Sequence, residues 1–236
     1  GQLAGVYKTD WSWSTLFADL DNDGWKDLFI TNGIPRDITN NDFITYRSQI
    51  VMNRSDISVE EMKKDLLSQI EKLKPVNKPN YVFANNGDLS FSDKSEEWGL
   101  AKKTMSNGAV YVDLDNDGDL DIVTNNIDAP ALVYENKNNQ PGKKSSVQIK
   151  LKGSAQNINA TGAKVIVYAN KEIRTYEKYP VKGFMSSMEI PMLIGLEKTK
   201  VDSMFLIWPD NTYQPISIPA DKSTVTITYK KDLPSF

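Results

Sequence analysis

Nine of the chain's 31 acidic residues fall in two nine-residue windows. The first reads Asp19-Leu-Asp21-Asn-Asp23-Gly-Trp25-Lys-Asp27, and the second Asp113-Leu-Asp115-Asn-Asp117-Gly-Asp119-Leu-Asp121. Side chains at the first, third, fifth and ninth places offer carboxylate oxygens, the backbone carbonyl at the seventh (Trp25, Asp119) offers another, and the glycine at the sixth permits a sharp turn. Carboxylates this close repel one another unless a cation lies between them. An all-oxygen donor set favours calcium, because magnesium holds its waters and wants a tighter octahedron, while zinc prefers His and Cys, of which the chain has none. The reading is therefore two calcium sites, with Asp19, Asp21, Asp23, Trp25 and Asp27 in one and Asp113, Asp115, Asp117, Asp119 and Asp121 in the other. Two such ions would carry the formal charge from −3 to +1. A single Asp/Asn/Gly stretch is ordinarily a solvated turn; the duplication argues for metal. These are not EF-hand loops, since the twelfth place holds Ile30 and Thr124 where that motif needs a bidentate Glu.

Strands must hold these loops. Phe17 to Asn32 returns as Tyr111 to Asn125, with apolar residues alternating on either side of each Asp cluster, as at Val110, Val112 and Ile122. That pattern predicts strand, tight loop, strand, twice. Between the copies, residues 37–73 break the pattern. Ser58-Val-Glu-Glu61 is a capping-box sequence followed by Met62, Leu66, Leu67, Ile70 and Leu73 at helical spacing, which predicts a helix near 58–73 and another near 40–53. The expected place for the first of these is over a sheet edge or against the β repeats. After Pro75 and Pro79, Tyr81-Val-Phe-Ala, Asn86-Gly87 and Leu89-Ser-Phe-Ser predict a hairpin with a type I′ turn. The polar, Pro/Gly-containing run at 137–144 reads as a linker, so the expected domains are 1–136 and 145–236. About seven short strands are expected from Ser145 onward, including 147–151, 164–168, 204–208 and 224–229, as an antiparallel sandwich or barrel.

Composition narrows the chemistry. With no Cys and no His, disulfides, thiolate sites, the Ser-His-Asp triad and the usual general base are all excluded. The charge of −3 and the lack of a basic stripe argue against nucleic acid, and no apolar run approaches the ~20 residues of a membrane span. Gly1-Gln-Leu resembles neither a start nor a signal peptide, so the chain is expected to be part of a longer one.

The loop Asp113–Asp121, preceded by Asn107-Gly-Ala-Val110 and by Trp98-Gly99, resembles the FG-GAP or VCBS repeat of integrin-α-like β-propellers. Trp98-Gly99 stands where that family has Phe-Gly, Gly108-Ala109-Val110 lacks the Pro, and the first copy has Ser12-Trp-Ser-Thr15 instead. The second half resembles the ASPIC/UnbV domain through Thr161–Val165, Lys182–Ser187, Gly195-Leu196 and Val201–Asn211, although Leu193-Ile194 replaces the His-Phe common there. The resemblance implies a mainly β fold of calcium-loop blades with a helical insertion, followed by a β domain, in an exported bacterial surface or periplasmic protein. A closed propeller needs at least four blades of ~40–60 residues, so residues 1–136 are expected to form a partial one.

Extracellular calcium modules have dissociation constants of roughly 10⁻⁴ to 10⁻³ M and fill outside the cytosol. The leading expectation is accordingly an extracytoplasmic module that binds a glycan or a cell-surface protein, with calcium as a structural staple. Trp11 and Trp13 share a strand face, and Trp25 sits in a loop, so each could stack on a sugar, although packing roles are the commoner use of such rings. The alternatives are a glycan-active enzyme using carboxylates or calcium, and a purely architectural segment. No catalytic residue is singled out.

Overall fold

The computed structural model describes residues 1–52, 58–139, 146–196, 200–218 and 223–236. It is mainly β. In chain order the elements are β1 (Ser12–Ala18), β2 (Asp27–Asn32), α1 (Asn41–Met52), α2 (Val59–Lys72), β3 (Lys78–Pro79), β4 (Tyr81–Asn85), β5 (Phe91–Asp93), β6 (Lys103–Thr104), β7 (Ser106–Val112), β8 (Asp121–Asn126) and β9 (Leu132–Tyr134). The second half adds β10 (Ser146–Lys152), β11 (Lys164–Ala169), β12 (Glu172–Glu177), β13 (Met192–Gly195), β14 (Val201–Ile207), β15 (Tyr213–Pro215) and β16 (Thr224–Thr228).

Both repeat copies fold as strand–loop–strand. β1 pairs antiparallel with β2 across the first Asp loop, and β7 with β8 across the second. In β1 the buried residues Ser14, Leu16 and Ala18 alternate with exposed Thr15 and Phe17, as a strand with one wet face requires. β2 lies inside the sheet β1-β2-β4-β5 and is buried at all six positions. The second copy builds the sheet β7-β8-β9, and neither sheet closes into a barrel.

The insertion holds the two expected helices. Ser58 caps α2: its hydroxyl accepts from the Glu61 N–H while the Glu61 carboxylate accepts from the Ser58 N–H. The expectation that α2 covers a sheet edge is not met, since none of its residues is buried, and Tyr46 of α1 donates instead to Asp65 of α2. The β4–β5 connection also differs from a two-residue turn. Five residues, 86–90, separate the paired Asn85 and Phe91, and the positive φ values fall at Gly87 and Leu89, not at Asn86. Asn85 and Asp88 stabilise this wider loop by accepting from the Gly87 and Ser90 N–H groups at 3.0 Å, an Asx geometry that competes with the tight turn.

The second half contains seven strands among its described residues, in the sheets β13-β10-β16 and β12-β11-β14-β15. One pairing departs from the antiparallel expectation: β16 runs parallel to β10. Both sheets contribute to one core, with Val147, Ile149 and Ile194 from the first and Val165, Val167, Leu206 and Trp208 from or beside the second. A separate core joins both repeat copies, through Leu16, Phe29, Ala109, Tyr111 and Ile122, and it also takes in Met188 and Leu193 from the second half. The two halves therefore pack on each other over buried apolar surface.

Candidate metal centres

The two loops have the same backbone shape. Asn22 and Asn116 take φ of 60° and 62°, and Gly24 and Gly118 take 90° and 93°. Two left-handed residues in six turn the chain back on itself and point its carboxylates inward; Asn tolerates that region better than other non-glycine residues, and Gly bears no Cβ to clash. Loop N–H groups then hold the carboxylates in place. Asp19 Oδ2 accepts from Gly24 N at 2.9 Å, and its counterpart Asp113 Oδ2 accepts from Gly118 N at 3.1 Å. Asp21 and Asp115 accept from the N–H two residues on, as do Asp23 and Asp117.

The ninth residues act as clamps. Asp27 accepts from Leu20 N at 2.9 Å and from Asn85 N at 3.0 Å, and Asp121 from Leu114 N and Asn136 N at 2.8 Å each. Each closes its own loop and ties it to the next strand or segment.

Carboxylate oxygens of Asp19, Asp21 and Asp27 lie within 4.8 Å of one another, as do those of Asp113, Asp115 and Asp117. Asp23 and Asp121 stand outside these closest groups. Asp119, whose carbonyl was expected to be its contribution, has a buried side chain that accepts from Asn139 N at 3.0 Å. Asp19 Oδ1 and Asp113 Oδ1 are buried and accept no hydrogen bond among the described residues. A buried carboxylate oxygen without a donor is costly and calls for a cation or a proton.

The electrostatics agree. Burial, reinforced by Asp27, Asp23 and Asp21, holds the Asp19 carboxyl well above the usual range. Burial pushes Asp27 up to about 7 against the opposing N–H bonds of Asn85 and Leu20, and pushes Asp119 up to about 7 as well. Asp113 is raised by the same cause. An oxygen-only, preshaped set of mutually repelling carboxylates fits a hard divalent cation.

Several residues that hold the loops carry little sequence signal. Asn136 Nδ2 donates to Leu20 O at 2.7 Å and Leu120 O at 3.2 Å, joining both loops, and Asn22 Nδ2 donates to Gly118 O at 3.1 Å. Asn138 and Asn139 donate to the carbonyls of Asp21 and Asp117 at 2.6 Å. Asn138 and Asn139 of the expected linker thus lie against the loops, and 140–144 lie outside the described residues. The second half supplies a lid. Tyr176 donates to Gly24 O at 3.2 Å, Gln148 donates to Asp113 Oδ2, and Ser146 to Gly118 O. Gly195 must be glycine, since a Cβ there would run into Asp19 Oδ2 and approach the Asn22 backbone to 2.6 Å.

The tryptophans are engaged in packing. Trp11 and Trp13 lie 6.5 Å apart between ring centroids; Trp13 stacks obliquely on Phe184 at 4.8 Å and donates to Gly33 O at 2.6 Å. Trp25 is held between Gly87 and the Arg174 guanidinium, which sits 4.5 Å from its ring centroid.

Residues 63–124 match the family model described as the FG-GAP-like repeat, and residues 153–234 match the one described as ASPIC and UnbV. The first match includes the loop Asp113–Asp121, while the loop Asp19–Asp27 precedes it. The second begins just after β10 and runs past β16 almost to the last residue. A comparison with curated proteins finds no match.

Proposed function

We propose that this chain, whose matches to the FG-GAP-like repeat and to ASPIC and UnbV indicate an extracellular-type interaction module, is a calcium-stabilised extracytoplasmic module that binds a glycan or protein at a bacterial cell surface. The observation that carries the calcium assignment is the pair of buried, unpartnered oxygens, Asp19 Oδ1 and Asp113 Oδ1, each inside a carboxylate cluster. Asp19, Asp21 and Asp27 would hold one ion with help from Asp23 and the Trp25 carbonyl; Asp113, Asp115 and Asp117 would hold the other with Asp119 and Asp121 in support. The ions supply positive charge at the joint between the halves. Binding, not catalysis, is the proposed activity, because the clustered carboxylates are committed to the loops. That no described helix is long and apolar enough to cross a membrane is compatible with this reading.

At about 100 times its dissociation constant, each ion stabilises the fold by roughly 2.7 kcal/mol. For a domain pair of this size, two ions should raise the melting temperature by on the order of 10 °C. Isothermal titration of chelator-treated protein with calcium, with melts in calcium and in magnesium, tests the assignment. Two bound ions and a calcium-selective rise are expected. Absence of binding would reduce both loops to ordinary turns.

A further inference from the structure

Between the halves lies a cavity of about 480 Å³, bounded by β1 on one side and by β12 and the segment after it on the other. Its floor is apolar, with Leu16, Met188 and Leu193 buried beneath it. Its walls carry three lysines. Lys178 is committed to Glu189 and donates to Ile190 O at 2.6 Å. On the rim, Glu177 is paired with Lys164 at 3.1 Å. Lys26 and Lys182 remain. Lys26 Nζ donates to Thr175 O at 3.0 Å and lies 5.1 Å from the Tyr176 ring centroid, while Lys182 Nζ donates to the Tyr111 hydroxyl and lies 4.9 Å from that ring's centroid. Neither has a carboxylate within ion-pairing distance among the described residues; Lys26 is repelled by Lys182 and drawn more weakly to Glu177 and to Asp19, which also lines the cavity and is assigned above to the first metal loop.

Two half-buried ammonium groups that converge on one cavity, with the local acids already taken, form a receptor for an anion. The volume lies within the range of small-molecule sites. Tyr179, on the cavity wall and 56% exposed, offers an aromatic ring to an apolar C–H surface, and Thr15 and Thr175 line opposite sides of the cavity. A ligand that combines a carboxylate, hydroxyls and a C–H face is an acidic sugar. Because β1 and β12 are both edge strands, an extended acidic peptide is the competing ligand; the exposed ring of Tyr179 and the threonines on both sides of the cavity favour the sugar. We propose that this cavity binds an acidic sugar, with its carboxylate seated between Lys26 and Lys182. The inference rests on the glycan-binding reading above and gives it a place and a ligand class.

The test uses the full chain saturated with calcium. It is applied to an array of uronic-acid- and sialic-acid-terminated oligosaccharides, their neutral parents and a Glu-rich peptide, and the best binder is then titrated calorimetrically. Wild type is compared with Lys26→Gln, Lys182→Gln and, as a control on α2, Lys63→Gln, with melts to verify folding. Retention of acidic over neutral sugars is expected, with affinity reduced about tenfold or more in each cavity variant and unchanged in Lys63→Gln. Retention of no acidic sugar, equal binding of acidic and neutral partners, preference for the peptide, or full affinity in both cavity variants would overturn the proposal. Capture of neutral glycans or of the peptide in those cases would leave the binding-module reading standing while this cavity assignment falls.

Discussion

The carboxylates decide this molecule's response to pH. Asp27 and Asp119 are pushed up to about 7 by burial, against an ordinary value of 3.8. Between those values the folded chain holds protons that the unfolded chain has released, so their contribution to stability is present below about pH 4 and is lost as pH rises towards 7. Calcium opposes this, because it takes the place of the protons. We expect the melting temperature of chelated protein to fall as pH rises through that window, by less in Asp27→Asn, and the increment due to calcium to grow over the same range. Melts across a pH series with chelator and with saturating calcium measure both. A chelated protein whose pH slope is the same in wild type and Asp27→Asn would show that Asp27 is not held protonated in the folded state.

Strand β13 illustrates how an element is fitted to a site it does not belong to. Its inner residues Met192 and Ile194 face the core of the second half, and Leu193 faces the core of the first, so alternation lets one strand serve two cores. Gly195 ends it directly behind Asp19 and the Asn22 backbone. Adding a methyl group there requires the first loop to move. Gly195→Ala should cost roughly 1–3 kcal/mol, as overpacking does, and should weaken one calcium site while leaving the other intact. Calorimetric titration reading one weakened and one normal site would bear this out, whereas two unchanged sites would show that β13 does not constrain the loop.

At the scale of the whole molecule, the halves are joined by apolar packing and by the loops. Met188 and Leu193 sit in the core of the repeat region, and Gln148, Ser146 and Tyr176 bond to the loops. Leu193→Ala, at a site only 9% exposed, should cost about 2–5 kcal/mol. If the halves unfold as one unit, scanning calorimetry will show a single transition that shifts to lower temperature. A split into two transitions, only one of them moved, would mean that the halves are thermodynamically separate despite their shared core.

Local chemistry was legible in the chain itself. The repeated Asp spacing, the glycine at the sixth place, the alternation in β1 and the capping box at Ser58 each depend on residues a few positions apart, where backbone geometry leaves few choices. Turn competition was legible only in part: Asn86-Gly87 suggested a tight turn, but Asn85 and Asp88 captured the backbone and widened it. What only the tertiary structure decided are meetings between residues far apart in sequence. The lid of Tyr176 and Gln148 over the loops, the parallel partner of β10, the exposed position of α2 and the convergence of Lys26 on Lys182 all depend on how sheets stack. Stacking is driven by burial of apolar area, which is non-directional, so no short motif encodes which surfaces meet.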